Sequence, residues 1–187
     1  DVGAIKADDG RVRLYLDGNS LTTKQPAGIE VTNPPAEHAL PVIFILPSNS
    51  AATASSQRVY VGVNGQSIPD DDPNEAELRL YGNVTLKSTG PLLVGGRNHG
   101  EMELGSDSTA EVQKVELGGT RPGILSEPYT IAYLKVYTDA TLKSNLGVTL
   151  GTDNFTGPGD ANKPLLYSKL YVSGGELTVG SQKDVQV

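Results

Sequence analysis

A basic residue followed by Leu or Val and then by Tyr occurs five times in this 187-residue chain. The copies begin at Arg13, Arg58, Arg79, Lys135 and Lys169. Successive side chains of a β-strand point to opposite faces, so in each copy the aliphatic residue faces one way while the cation and the Tyr face the other. The tripeptide therefore predicts strands with an aliphatic inner face and an outer face that carries tyrosine and positive charge.

The spacing of the five copies bears on whether the chain is a repeat protein. The copies are 45, 21, 56 and 34 residues apart. Residues 79–88 and 135–144 are also similar, with Tyr, Thr, Leu, Lys and Ser matching at an offset of 56 residues. A solenoid is expected to hold one period of about 20 to 50 residues over several copies. Because these spacings are uneven, we interpret the tripeptide as a recurrent strand pattern and not as a repeat array.

Alternation of apolar and polar residues indicates the fold class. It is clear over residues 11–17 and 59–63, and over 129–137 it places Ala132, Leu134 and Val136 on one side. The apolar run at 42–46 is typical of a short strand covered on both faces. Turn-forming Gly and Pro number 22 and 12 and lie mostly between the apolar runs. We predict an all-β chain with almost no helix and about 10–12 short strands in an antiparallel β-sandwich similar to a jelly roll, a single domain over residues 1–187.

Charge and composition restrict the partners and the location. The net charge of −7 argues against nucleic acid, whose binding depends on neutralising phosphates with cations. No apolar run approaches the about 20 residues of a membrane span. The chain has no Cys, which excludes thiolate metal sites and thiol nucleophiles. Met102 is the only Met and the chain begins at Asp1, so we expect a secreted, extracellular or cell-surface protein whose signal peptide has been removed.

The sequence contains no recognisable catalytic set. His38 and His99 are the two histidines, and neither lies near a G-x-S-x-G nucleophile motif. Glycoside hydrolysis needs two carboxylates across a cleft. The candidates are Glu101, Glu103, Glu111 and Glu116. The chain lacks the Trp that usually lines such a cleft, although Tyr can take its place. We therefore expect no enzymatic activity.

Two loops are rich in side-chain oxygen atoms, one at residues 70–75 and one at 151–162. Crowded carboxylates repel one another unless water solvates them or a cation bridges them, and oxygen ligands suit Ca²⁺. The first loop begins like an EF-hand loop but has Glu75 in place of the required Gly. A solvated acidic loop and a Ca²⁺ site both stay open as interpretations. The predicted Ca²⁺ ligands are Asp70, Asp72, Asn74, Glu75, Asp153 and Asp160.

In composition, size and strand pattern the chain resembles secreted β-sandwich subunits of extracellular filaments and tubes, such as donor-strand pilins, TasA-like fibre proteins and archaeal cannula proteins. The resemblance implies a non-enzymatic structural subunit that assembles with copies of itself through β-strand pairing. Similarity to the cannula proteins implies that Ca²⁺ assists assembly. Exposed Tyr beside Lys or Arg suits a protein interface.

Two other functions stay open at this point. A virion decoration or fibre protein would contain similar short strands punctuated by Gly. A carbohydrate-binding module or glycosidase is the third hypothesis, which the missing Trp disfavours. We expect the self-assembling subunit, since no catalytic residues explain the Tyr and the cations.

Overall fold

The computed structural model describes residues 1–7, 11–16, 19–24, 28–33, 42–47, 50–65, 76–95, 100–118, 131–150, 167–180 and 185–186. In these ranges the chain forms nineteen β-strands and no helix, and thus no apolar helix of membrane-spanning length. The strands are β1 (Ile5–Ala7), β2 (Arg11–Tyr15), β3 (Ser20–Thr22), β4 (Ile29–Asn33), β5 (Val42–Leu46), β6 (Ala52–Ser56), β7 (Val59–Gly65), β8 (Ala76–Leu80), β9 (Val84–Ser88), β10 (Pro91–Val94), β11 (Gly100–Leu104), β12 (Thr109–Val112), β13 (Lys114–Leu117), β14 (Ile131–Val136), β15 (Thr141–Ser144), β16 (Val148–Leu150), β17 (Tyr167–Val172), β18 (Glu176–Val179) and β19 (Val185–Gln186).

The strands pair in parallel, each with the strands three positions before and after it in the chain. Sheet 1 has the order β1-β4-β7-β10-β13-β16-β19, sheet 2 the order β2-β5-β8-β11-β14-β17, and sheet 3 the order β3-β6-β9-β12-β15-β18. Each coil of the chain adds one strand to each sheet, so β1–β3 form the first coil and β16–β18 the sixth, while β19 begins a seventh. The described residues form a three-sided parallel β-solenoid.

The predicted antiparallel β-sandwich, with its jelly-roll arrangement, is wrong. Alternation shows that a strand has one buried and one solvated face, and a solenoid uses that pattern as fully as a sandwich does. The direction of pairing depends on which strand lies alongside, which alternation does not report. The nineteen strands also exceed the predicted number, because many have three or four residues and some corners are very short. Gln113 alone separates β12 from β13.

The interpretation against a repeat array is wrong as well. Four of the five tripeptides lie in sheet 2, at β2, β8, β14 and β17, which belong to the first, third, fifth and sixth coils. The spacings of 66 and 56 residues thus correspond to two coils each, whereas the copy at Lys169 lies one coil further on and is shifted by two residues, since Lys135 pairs with Tyr171. The spacing is uneven because the copy that begins at Arg58 enters β7 of sheet 1 and because the coils differ in length. The similar segments 79–88 and 135–144 occupy equivalent positions two coils apart.

Aliphatic side chains fill the interior and stack in register from coil to coil. Ala132, Leu134 and Val136 are fully buried, which confirms the inward face predicted for that strand. Burying a side chain of this kind contributes about 1.5–3 kcal/mol. Two inward columns of sheet 2 are Val12, Ile43, Leu78, Met102, Leu134 and Leu170, and beside them Leu14, Ile45, Leu80, Leu104, Val136 and Val172.

Replacing Leu104 with Ala should lower the free energy of unfolding by about 2–5 kcal/mol, because the change leaves a cavity between Leu80 and Val136 in the solenoid interior. Leu146 provides the control, since its side chain is 45% exposed. Leu146→Ala should change the same quantity by less than about 0.5 kcal/mol. Denaturant unfolding measures both, and equal losses would contradict the interior position of Leu104.

Candidate functional site

The Ca²⁺ ligands predicted from the sequence lie outside the described residues. This applies to Asp70, Asp72, Asn74, Glu75, Asp153 and Asp160, and also to both histidines. Within the part of the chain that the structure describes, no group of three or more His, Cys, Asp or Glu side chains is placed to hold a metal ion. The Ca²⁺ site therefore stays a prediction.

The outward face of sheet 2 collects aromatic and charged side chains in three columns, and we call it the tyrosine face. The first column is Arg11, Val42, Glu77, Glu101, Tyr133 and Lys169; the second is Arg13, Phe44, Arg79, Glu103, Lys135 and Tyr171; the third is Tyr15, Leu46, Tyr81, Gly105, Tyr137 and Ser173. Neighbours in a column lie on adjacent coils, about 4.7–4.9 Å apart along the solenoid axis.

Arg79 joins two coils of this face. Its Nε and Nη2 atoms both lie 2.6 Å from Glu77 Oε2, and its Nη1 lies 3.7 Å from Glu103 Oε2. The Tyr81 hydroxyl donates to Glu103 Oε1 at 2.6 Å. Burial and then this hydrogen bond raise the pKa of the Tyr81 hydroxyl above its ordinary value. Both carboxylates are largely buried, and the cation and the phenol satisfy them.

Lys135 forms a second link between adjacent coils. Its ammonium donates to Glu101 Oε2 at 2.7 Å, and the Glu101 side chain is only 9% exposed. Burial acts to lower the pKa of Lys135, but the hydrogen bond and the charge of Glu101 outweigh burial, so this pKa lies above its ordinary value. The same ammonium lies 5.6 Å from the ring centroid of Tyr133, within the range of a cation–π contact.

Aromatic contacts extend the network toward the first coils. The rings of Phe44 and Tyr81 stack with their centroids 6.4 Å apart and their planes inclined by 20°. The guanidinium groups of Arg13 and Arg79 lie 5.7 and 5.9 Å from the Phe44 centroid. Phe44 thus lies between cations of the first and third coils, and each of them gains a cation–π contact.

Tyrosine recurs on every second coil in the third column. Tyr15, Tyr81 and Tyr137 belong to the first, third and fifth coils, and Gly105 lies between the last two. The ring of Tyr81 leans across Gly105, where an added Cβ atom would collide with it. A depression of about 480 Å³ opens there between Tyr81 and Tyr137, and a second of about 420 Å³ adjoins it. Tyr137 lines both.

The outward face of sheet 3 is different. Thr53, Thr85, Thr109 and Thr141 form one column of it. Beside this column, Glu111 lies 3.5 Å from Lys87 and 3.2 Å from Lys143. The hydrogen bond from Lys143, aided by the charge of Lys87, lowers the pKa of Glu111. These three side chains are substantially exposed, so their ion pairs contribute little to stability.

The sequence predicted the cations and tyrosines of the outer face but not their partners. Glu101 and Glu103 entered as glycosidase candidates, and the structure places them in ion pairs of the tyrosine face. Glu77, Phe44 and Gly105 were missed. Alternate positions in 77–81, 101–105 and 133–137 carry the signal, since residues two apart on a strand share a face. The sequence does not report which of these segments pair with one another, and that pairing is what brings the side chains together.

Comparison of the chain with protein-family models, with curated proteins and with solved structures gives no match. The parallel β-solenoid contradicts the β-sandwich fold that the resemblance to extracellular filament subunits implied, and the resemblance itself stays a prediction. The arrangement of side chains on the tyrosine face and at the ends of the solenoid is the basis for a functional conclusion.

Replacing Lys135 with Met should lower the free energy of unfolding at pH 7 by about 1–3 kcal/mol, because the nearly buried Glu101 carboxylate loses its cation. Lys143→Met is the matched control, since its partner Glu111 is exposed, and it should cost less than about 1 kcal/mol. Adding Glu101→Gln to the Lys135 variant should recover much of the loss. Denaturant unfolding of the unchanged chain and the three variants tests this. Equal losses of unfolding free energy in the two Lys variants would contradict a stronger pair between Lys135 and Glu101.

Stability should also fall under alkaline conditions. The pKa values of Tyr81 and Lys135 are both raised in the folded state. Such groups contribute stability that is fully present below their unfolded pKa values, about 10 and 10.4, and that is lost as the pH rises through the folded values. The free energy of unfolding should therefore decline from about pH 10 upward. Tyr81→Phe should make this decline shallower, while Tyr15→Phe, at an exposed ring, should not. An unchanged slope in Tyr81→Phe would contradict the assignment.

Proposed function

We propose that this chain is a non-enzymatic structural subunit that assembles outside the cell, with copies stacked end to end so that strand pairing continues the β-solenoid from one copy to the next. The observation that carries the proposal is the exposure of apolar side chains and strand edges at the two ends of the solenoid. At both of them the apolar interior and the edges of the sheets are left uncovered by the described residues.

At the C-terminal end, no described strand pairs with the outer edges of β17 and β18. Val172 continues the inward column of Leu104 and Val136 but is 42% exposed, whereas Val136 is 0% exposed. Leu170 and Leu177, also inward, are only half-buried. Edge strands also present unpaired N–H and C=O groups to a further strand. Repeat proteins normally close such an end with a polar cap, and the described residues include none here.

The N-terminal end is open in the same way. Val12, Leu14 and Leu21 point inward and are half-buried, while Ile43 and Ile45 one coil further in are fully buried. Each end therefore offers an aliphatic layer and three parallel strand edges. These properties are complementary when the C-terminal end of one copy meets the N-terminal end of the next.

The partial coils at the two ends fit the same arrangement. β19 begins a further coil in sheet 1 at one end. At the other end Val2 pairs with Thr23 beyond sheet 3, with two backbone hydrogen bonds of 2.9 Å. Because the partial coils use different sheets, they do not compete for one position in a junction between copies. Contact between unlike ends is heterologous and builds an open filament and not a closed dimer.

Calcium is part of this proposal through the acidic loops identified in the sequence. Each copy carries a net charge of −7, so copies repel one another at low ionic strength. A divalent cation bound by loop carboxylates would reduce that repulsion and favour assembly.

Electron microscopy and light scattering across a range of protein concentrations, with and without Ca²⁺, test the proposal. Filaments and a mass that rises with concentration are expected, more so with Ca²⁺. Val172→Lys should prevent growth, since it places a charge in the open interior of the C-terminal end. Leu146→Lys, which adds the same charge at an exposed corner, should assemble like the unchanged chain.

A mixing experiment sharpens this test. The Val172→Lys variant keeps its N-terminal end, so it should add to one end of a growing filament and stop it there. Small fractions of the variant should then shorten filaments of the unchanged chain. A monomer at every concentration, with and without Ca²⁺, would contradict the proposal, as would normal filaments of a folded Val172→Lys variant.

A further inference from the structure

The two depressions of the tyrosine face follow one another along the solenoid and share Tyr137, and together we call them the groove. The first depression is lined by Tyr133, Lys135, Tyr137, Lys169 and Tyr171. The second is lined by Tyr81, Gly82, Glu103, Gly105, Ser106, Asp107, Tyr137 and Thr138. The groove extends from the third coil to the sixth, a length of about 15 Å at the spacing of parallel strands. Its shape suits a narrow, extended ligand.

Aromatic rings and a glycine floor define the walls of the groove. Tyr81 and Tyr137 stand two coils apart, about 10 Å along the axis. The Tyr81 ring lies against Gly105, where a side chain would collide with it, and both residues line the second depression. Rings of this kind offer apolar faces with a hydroxyl at one end. A ligand with flat apolar faces and hydroxyl groups at its rim matches this surface, which is the chemistry of a sugar ring.

The polar groups of the groove differ along its length. Near Tyr81 they are the carboxylates of Glu103 and Asp107, which accept hydrogen bonds from neutral hydroxyl groups, and the hydroxyls of Ser106 and Thr138, which donate or accept them. Near Tyr171 they are the ammonium groups of Lys135, which is already paired with Glu101, and of Lys169. Lys169 is exposed, lies 5.5 Å from the Tyr171 ring centroid, and has no carboxylate partner among the described residues. An anionic group of a ligand would be favoured at this end.

We propose that this groove binds an extended oligosaccharide that contains acidic sugars, with one ring against Tyr137 and a sugar carboxylate beside Lys169. A nucleic-acid strand fits less well, because Glu103 and Asp107 would face its phosphates. The groove is on the side of the solenoid, whereas the proposed contacts between copies are at its ends. The two proposals can therefore fail independently.

Calorimetric titration with two probes tests the proposal, one a tetramer of galacturonic acid and the other a tetramer of neutral glucose units of similar length. The acidic tetramer should bind more tightly than the neutral one, and added salt should weaken its binding. Tyr137→Ala should reduce affinity for the acidic probe about tenfold. Tyr15→Ala, which removes an exposed ring of the same column outside the groove, should have no effect.

Two further variants separate the contributions of charge and shape. Lys169→Met should weaken the acidic tetramer about two- to fivefold and leave the neutral one unchanged. Gly105→Ala should weaken both probes, because the added methyl group displaces the Tyr81 ring into the groove. Circular dichroism confirms folding, and Tyr171→Ala provides a second ring variant at a more exposed position.

Three outcomes would overturn the proposal. Binding of neither probe by the folded chain would exclude an oligosaccharide groove. Equal affinity for both probes, unaffected by Lys169→Met, would exclude the acidic specificity. Undiminished binding in folded Tyr137→Ala and Tyr171→Ala would place the site elsewhere. Filament formation serves as a separate readout, so a variant that assembles but does not bind would count against the groove alone.

Discussion

Parallel pairing of strands in register is the constraint on which the rest of this structure depends. It gives each residue of an inner strand two fixed neighbours along the axis, its counterparts in the coils before and after. Leu78, Met102 and Leu134 thereby become one column of the interior, although 24 and 32 positions separate them in the sequence. The outer columns obey the same rule. The tyrosine face therefore follows from the register and needs no separate device to bring its side chains together.

Such a register has a cost, because similar coils tend to place like charges on neighbouring strands. The second column of the tyrosine face avoids this: Phe44 separates Arg13 from Arg79, and Glu103 separates Arg79 from Lys135. In the first column Glu77 does stand beside Glu101. Each of these two carboxylates contacts a cation from the second column, and that cation balances its negative charge. Variation between coils thus stabilises the array.

The sequence predicted what depends on neighbours along the chain and missed what depends on neighbours across it. The inward positions of Leu134 and Val136 follow from a period of two residues, which is local. The orientation of the strands and the ladder from Arg79 to Glu103 join residues more than twenty positions apart, and no local pattern reports them. The tripeptide at Arg58 shows how this fails. Its residues match the pattern, but the chain carries them into a different sheet.

The openness of the sixth coil has a consequence for the groove that ends there. Tyr171 and Lys169 belong to β17, which pairs with one strand only among the described residues, and strands at the end of a solenoid unfold most readily. A second copy bound at that end would hold β17 in place and so fix the positions of Lys169 and Tyr171, which line the groove. By thermodynamic linkage the ligand would tighten that junction by the same factor. Growth at the tip and binding along the side would then be coupled through a single strand.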